Sequence, residues 1–263
     1  MPSSAPVVLD GIALDRSFLE KLLDISCQAG DAIMEIYATD FDVETKGDDS
    51  PVTAADKAAD DLIREALVDQ ITDAWTLVTE ETFEGEGPEV GSKPFWLIDP
   101  LDGTKEFVKR NGEFTVNIAL IVEGRPVAGC VHAPAVGKTY VAGPEGAFRV
   151  GKHGGLEPIR VRPVPDAGLS VLVSRSHPAP EVGAYLKTLT VAEEVTAGSS
   201  LKFCLVAEGI ADLYPRFGPT MEWDTAAGHA VLMAAGGRVT DRDDIEISYG
   251  KPAFKNPGFI AKG

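Results

Sequence analysis

Helical and strand periodicities alternate along this chain from end to end. Phe18, Leu22, Ile25, Ala29, Ile33 and Ile36 recur at intervals of three and four. That spacing predicts an amphipathic helix over 18–36, with Asp15 or Ser17 as its cap. A second helix is predicted from Thr53 through Ala55, Ala58, Ala59, Leu62, Ile63 and Leu67. Apolar runs at 75–78, 95–98, 114–122 and 127–132 read as strands, the last two joined by a turn at Glu123, Gly124, Arg125 and Pro126. Strands at 139–142 and 147–150 continue this β-rich section. Gly154, Gly155, Pro158, Pro163 and Pro165 then punctuate a linker-like stretch. Beyond it come a strand at 169–173, helices at 180–189 and 200–208, and a strand at 211–214. An Ala-rich helix at 224–235 is stopped by Gly236 and Gly237. The mixture predicts an α/β or α+β chain of two sub-domains, 1–150 and 151–263, with the boundary inside 145–165.

Composition narrows the partners. The 263 residues include 24 Lys+Arg against 41 Asp+Glu, a formal charge of −17. Such a chain repels nucleic acid and anionic membrane surfaces, but a small phosphorylated ligand is compatible with it if cations mask the charge. With 44% hydrophobic residues it can bury a core. Cys27, Cys130 and Cys204 are far apart and form no CxxC pair, so buried thiols are expected rather than a disulfide scaffold or a zinc site. The first ten residues lack a basic, apolar leader pattern, and no apolar run is long enough to span a bilayer. A cytoplasmic protein without an integral membrane segment is the expectation.

Four strings carry candidate chemistry. In Asp99-Pro100-Leu101-Asp102-Gly103-Thr104, two carboxylates lie three apart at the end of an apolar strand. Pro100 bars a ladder hydrogen bond and Gly103 permits a tight turn, so both acids and the Leu101 carbonyl can face one side as hard oxygen donors for Mg²⁺. Thr104 can cap a short helix over 105–109, whose start favours phosphate; an ordinary Asx-rich turn is the alternative. Thr79-Glu80-Glu81 follows the strand at 75–78 and alone reads as a solvated loop. In Trp223-Asp224-Thr225-Ala226-Ala227-Gly228, Asp224 suits an N-cap, yet its second oxygen can point into a cleft. The string from Lys46 to Asp56 reads as a polar turn followed by Thr53 as a cap. Were Glu80, Asp99, Asp102 and Asp224 to converge, each pair at 4 Å would repel by about 4 kcal/mol at an effective dielectric near 20. Convergence would therefore imply bound cations.

The strings at 99–104 and 223–228 resemble the two signatures of the inositol monophosphatase superfamily, Mg²⁺-dependent and lithium-sensitive phosphomonoesterases. The stretches 50–56, 105–120, 198–204 and 214–219 resemble one branch of it, the bacterial CysQ-type 3′(2′),5′-bisphosphate nucleotidases. The resemblance implies a layered αβαβα sandwich of the inositol monophosphatase and fructose-1,6-bisphosphatase type, with two or three Mg²⁺ ions. It implies Glu80 as a bridging metal carboxylate, Asp99, Asp102 and the Leu101 carbonyl as further ligands, and Asp224 on a second ion. Gly103 and Thr104 would offer backbone N–H groups and a hydroxyl to the scissile phosphate. An acid in the 46–50 loop would pair with Thr104 to orient the attacking water; Asp48 matches best, with Asp49 beside it. Lys202 and Arg216 would answer a second phosphate that is not cleaved, and Ser199 and His177 would contact the nucleotide. The implied reaction removes the 3′-phosphate of 3′-phosphoadenosine 5′-phosphate to leave AMP and phosphate, with 3′-phosphoadenylyl sulfate as a second substrate and a place in sulfur assimilation. Inositol phosphate or fructose 1,6-bisphosphate as substrate, and a sensor without turnover, are the competing readings. His132, His153 and His229 are expected to pack or lie at the surface.

Overall fold

The computed structural model describes residues 7–45, 51–174 and 180–263. A hairpin of β1 (Val8–Leu9) and β2 (Ile12–Ala13) leads into α1 (Arg16–Tyr37). Asp15 caps that helix, accepting from the Phe18 amide at 3.1 Å. Strands β3 (Val43–Thr45) and β4 (Pro51–Thr53) pair and deliver the chain to α2 (Ala54–Gln70). A capping box starts α2: the Thr53 hydroxyl accepts from the Ala55 amide and the Asp56 carboxylate accepts from the Thr53 amide.

There follow β5 (Thr76–Thr79), β6 (Phe95–Asp102), the short α3 (Thr104–Val108), β7 (Thr115–Val122), β8 (Arg125–Ala133), β9 (Lys138–Gly143), β10 (Gly146–Val150) and β11 (Leu156–Pro158). They form a seven-stranded sheet in the order β11-β10-β9-β8-β7-β6-β5, antiparallel except for the β5–β6 pair. Side chains alternate between its faces. Trp96 and Ile98 of β6 join the cluster that contains α1 and α2, while Phe95 and Leu97 join the cluster on the opposite face. Ile118 and Leu120 of β7 likewise oppose Ala119 and Ile121. Burial of both faces explains why these strands read as unbroken apolar runs rather than as an alternation.

The rest of the chain supplies β12 (Leu169–Ser174), α4 (Pro180–Leu186), β13 (Val191–Ala197), α5 (Leu201–Ala207), β14 (Leu213–Arg216), β15 (Thr220–Met221), α6 (Trp223–Ala234), β16 (Arg238–Thr240), β17 (Lys255–Asn256) and β18 (Phe259–Lys262). Five strands form a second sheet, β13-β12-β14-β18-β16. Helices α5 and α6 lie between the sheets. The small residues of α6 let it approach closely: a Cβ on Gly129 of β8 would sit 3.0 Å from the Ala227 carbonyl oxygen. Leu186 of α4 packs with Val171 and Leu213 of the second sheet. The layers run α1 and α2, sheet, α5 and α6, sheet, α4, which is the αβαβα sandwich the resemblance implied.

Local details depart from the periodicity. Helix α4 ends at Leu186 instead of continuing to 189, β14 runs on to Arg216, and the Gly- and Pro-rich stretch contains β11. Strands β13 and β18 carried no recognised sequence signal. One apolar cluster includes residues from Val78 to Ala261, so the two halves share a core. All three cysteines are free thiols. Among the described residues no helix is long and apolar enough to cross a membrane.

Candidate active site

Parallel pairing of β5 with β6 places Thr79 opposite Ile98, and the Glu80 amide donates to the Ile98 carbonyl at 3.1 Å. Glu80 therefore leaves the sheet beside Asp99. The β6–β7 register shifts between Asp99 and Asp102, where Pro100 interrupts the ladder. Asp99 is buried, and its Oδ1 accepts from the Leu101 amide at 3.1 Å. Gly103 follows at φ 93°, a conformation in which a Cβ would also meet the Glu113 carbonyl oxygen at 3.2 Å. Gly103, not Thr104, holds the N-cap position of α3.

The third acid arrives from the far half of the chain. Asp224 is not the cap of its helix; Glu222 holds that position and Asp224 lies in the first turn. Its Oδ2 accepts from the Met221 amide at 2.8 Å. One oxygen each from Glu80, Asp99 and Asp224 lie within 4.8 Å of one another. Burial, then the charges of Glu80, Asp102 and Asp224, hold the Asp99 pKa well above the usual carboxylate range. Asp224 is raised in the same way, by burial and then by Asp102. Three clustered hard oxygen donors, two of them in buried carboxyls that resist ionisation, fit a small divalent cation such as Mg²⁺.

Asp102 stands beside this triplet but outside it. Its Oδ2 accepts from the Ser200 amide at 2.5 Å and lies 3.5 Å from the Thr115 hydroxyl. The carboxylate thus ties the end of β6 to the start of α5. Its pKa is raised to about 6 by burial, against the opposing pull of Lys202 and of the Ser200 amide. The Thr104 hydroxyl lies 3.2 Å from Asp56 Oδ1 and 3.3 Å from the Leu101 carbonyl oxygen, and can donate to either. Asp56 was absent from the sequence-predicted site, although the Thr53-x-x-Asp56 spacing is a capping-box signal. Asp48 and Asp49, expected to pair with Thr104, lie outside the described residues, as does His177.

A cavity of about 300 Å³ opens over these groups. Glu80, Asp99, Leu101, Asp102, Gly103, Thr104 and Asp224 line it, together with Ser199, Lys202 and Arg216. Lys202 is buried; its Nζ donates to the Ser199 carbonyl at 2.6 Å and the Ala197 carbonyl at 3.2 Å, and stands 5.1 Å from the Tyr214 ring centroid. Burial lowers its pKa to about 8, although Asp102 favours the charged form. Arg216 reaches Ser174 Oγ at 3.4 Å and the Pro219 carbonyl at 3.5 Å, both long contacts. Its Nε is buried without a hydrogen-bond partner among the described residues. Ser199 has φ 46°, at the turn into α5. His132 and His229 are buried against Thr139 and Tyr249, and His153 is exposed, as expected for packing and surface residues.

The sequence pattern of the Inositol monophosphatase family matches residues 15–261. The 3′(2′),5′-bisphosphate nucleotidase CysQ of Salmonella typhimurium is 49% identical over 245 residues, covering 92% of this chain and 98% of that protein. The corresponding protein of Escherichia coli K12 is 48% identical over the same span. Among solved structures, CysQ from Bacteroides thetaiotaomicron superposes with a TM-score of 0.81 at 36% identity, covering 95% of this chain and 98% of that one. A Thermotoga maritima IMPase matches with a TM-score of 0.76 at 28% identity, covering 94% and 92%.

Proposed function

Because the chain belongs to the inositol monophosphatase family, we propose that it is a Mg²⁺-dependent 3′(2′),5′-bisphosphate nucleotidase. In this reading it hydrolyses the 3′-phosphate of 3′-phosphoadenosine 5′-phosphate, and also accepts 3′-phosphoadenylyl sulfate. The observation that carries the reading is the sharing of one cavity by two unlike features. One is the acid triplet of Glu80, Asp99 and Asp224. The other is a cationic wall of Lys202 and Arg216, in which Arg216 Nε has no partner among the described residues.

Glu80, Asp99 and Asp224 would hold Mg²⁺, with Asp102 and the Leu101 carbonyl completing the donor set. Two or three bound ions supply charge neutralisation for the phosphoryl oxygens and a lowered pKa for the attacking water. The chain's own groups do the remaining work. Gly103 and Thr104 present backbone N–H groups to the scissile phosphate at the start of α3. The Thr104 hydroxyl, steadied by Asp56, orients the water with Asp48 or its neighbour Asp49. Arg216 answers the second phosphate, and a substrate with one phosphate has no use for its planar donor fork. Lys202 adds positive charge behind it, while Ser199 and His177 contact the nucleoside. The relatives named CysQ support the bisphosphorylated nucleotide over inositol 1-phosphate or fructose 1,6-bisphosphate. A cytoplasmic location, a role in sulfur assimilation and inhibition by Li⁺ at the second metal position complete the reading.

Phosphate release with Mg²⁺ from 3′-phosphoadenosine 5′-phosphate, inositol 1-phosphate and fructose 1,6-bisphosphate tests it, with Asp224→Asn as the blank. Preference for the nucleotide, lost in the blank, is expected. Preference for a sugar phosphate would keep the metal site and overturn the substrate. No release from any substrate would overturn the activity and favour a sensor.

A further inference from the structure

The first turn of α6 carries Asp224, and a polar network lies behind it whose members Glu222, Lys251 and Asn256 do not line the cavity. Glu222 is fully buried and is not among the cavity residues. Its carboxylate accepts from the Gly250 amide at 2.6 Å and the Lys251 amide at 3.0 Å, and it forms an ion pair with Lys251 Nζ at 2.6 Å. Its own amide donates to the Phe254 carbonyl at 2.8 Å. Lys251 Nζ also donates to the Ser248 carbonyl and, at 3.2 Å, to Asn256 Oδ1. Asn256 Nδ2 in turn donates to the Met221 carbonyl at 2.8 Å and lies 2.9 Å from the Thr225 hydroxyl. Met221 is the residue whose amide holds Asp224 Oδ2. A continuous series of polar contacts therefore runs from Lys251 through Asn256 and Met221 to the Asp224 carboxylate.

The segment that provides these contacts is strained. Ala253 and Phe254 adopt φ 55° and 50°, consecutive left-handed conformations in residues with side chains. Such a turn persists only when its surroundings over-determine it. The two amides bound by Glu222 do so from one side. From the other, Phe254 is seated against Phe83, Phe95 and Trp223, with ring centroids 5.9, 6.3 and 6.4 Å away.

Asp224 needs such a restraint. Its carboxylate oxygen lies within 4.8 Å of those of Glu80 and Asp99, so a small shift of the first turn of α6 would take it out of the cluster. We propose that Glu222, Lys251 and Asn256 are positioning residues for Asp224: they lock the turn at 220–224 so that one carboxylate oxygen is held by Met221 and the other stays aimed at the cation position, which sets divalent-ion affinity. This rests on the reading of Glu80, Asp99 and Asp224 as a metal site.

The test is Mn²⁺ binding to the full chain, followed by loss of the free-ion electron paramagnetic resonance signal, with unfolding in chelator measured in parallel. Asn256→Ala should weaken Mn²⁺ binding by about tenfold, the usual scale for removing a group that supports a metal ligand. Lys251→Met should also weaken it, and Lys251→Arg should restore it. In both weakened variants the fold in chelator remains intact by near-ultraviolet circular dichroism. Unchanged Mn²⁺ affinity in a folded Asn256→Ala or Lys251→Met protein overturns the inference and leaves the metal site standing. If Asn256→Ala does not fold, the Lys251 pair alone decides. Wild-type protein that binds Mn²⁺ no better than Asp224→Asn overturns the metal site itself, and the inference with it.

Discussion

Replacing Asp99 by Asn should stabilise the metal-free protein while removing its response to Mg²⁺. The acid oxygens of Glu80, Asp99 and Asp224 lie within 4.8 Å of one another. At that separation and an effective dielectric near 20, each ionised pair repels by about 3.5 kcal/mol, or about 10 for the three pairs. The molecule need not carry that cost, because Asp99 can retain its proton. For a carboxyl with an ordinary pKa of 3.8, staying protonated at pH 7 costs about 4 kcal/mol, at about 1.4 per pH unit. That figure caps what Asp99 costs the apo fold. Asparagine removes it and retains Oδ1 to accept from the Leu101 amide.

The sign follows from linkage. The folded pKa of Asp99 is raised, so the stability associated with its proton is fully present below the unfolded value and is lost as pH rises through the folded one. The variant should therefore match wild type near pH 4 and exceed it by up to about 4 kcal/mol at neutral pH, in chelator. With Mg²⁺ at about a hundredfold excess over its dissociation constant, wild type gains about 2.7 kcal/mol that the variant lacks. Urea unfolding followed by fluorescence of Trp75, Trp96 and Trp223 measures both, because all three are buried. An Asp99→Asn protein less stable than wild type in chelator at neutral pH would refute the argument. So would an equal Mg²⁺ gain in both proteins.

Arg216→Met should lower kcat/KM for the bisphosphorylated nucleotide at least tenfold, about the loss of one charge-assisted contact, while a monophosphate substrate is hydrolysed as before; parallel kinetics on the two substrates read this. Gly198→Ala should destabilise the fold by about 1–3 kcal/mol, since its Cβ would lie 2.7 Å from both the Cβ and the carbonyl oxygen of Glu113. The displaced junction carries the Ser200 amide that holds Asp102, so activity should fall with the melting temperature, and a fully active Gly198→Ala protein would show that the junction yields freely. Burial lowers the pKa of His132 to about 4 and of His229 to about 3. Their unfolded forms take up protons below pH 6.5, so stability is full above that value and is lost as pH falls towards 4. Replacing both by Gln should flatten the acid decline in melting temperature, and superimposable pH profiles would contradict it.

Glu80 entered the candidate site only through the resemblance, whereas the other acids sit in strings with a local constraint of their own. Pro100 ends a ladder, Gly103 turns left-handed, and the Ala-rich run after Asp224 needs a helix start. The αβαβα layering followed from the resemblance rather than from periodicity, which separated helices from strands but said nothing of the order of strands in a sheet. Strand β13 escaped notice because it lies at the edge of its sheet and exposes Glu193 and Glu194, so it lacks an apolar run. Strand β18 is four residues long and pairs with β14 and β16, neither of them next to it in sequence.

What periodicity could not supply is the second layer of contacts. Asp102 is held by an amide 98 residues away and Thr104 by a carboxylate 48 residues away. Neither link leaves a mark in the spacing of apolar positions, because the pairing depends on which strand ends meet. Glu222 shows the same limit more sharply. Its place beside Trp223 and Asp224 suggests a surface acid at a helix start, where a carboxylate complements the dipole at little cost. Only the fold shows it fully buried, with the Gly250 and Lys251 amides as donors and the Lys251 ammonium as its ion-pair partner. These partners offset the cost of enclosing a carboxylate so completely. Asp99, Asp102 and Asp224 are thus marked locally, whereas the groups that hold them in place come from wherever the chain returns.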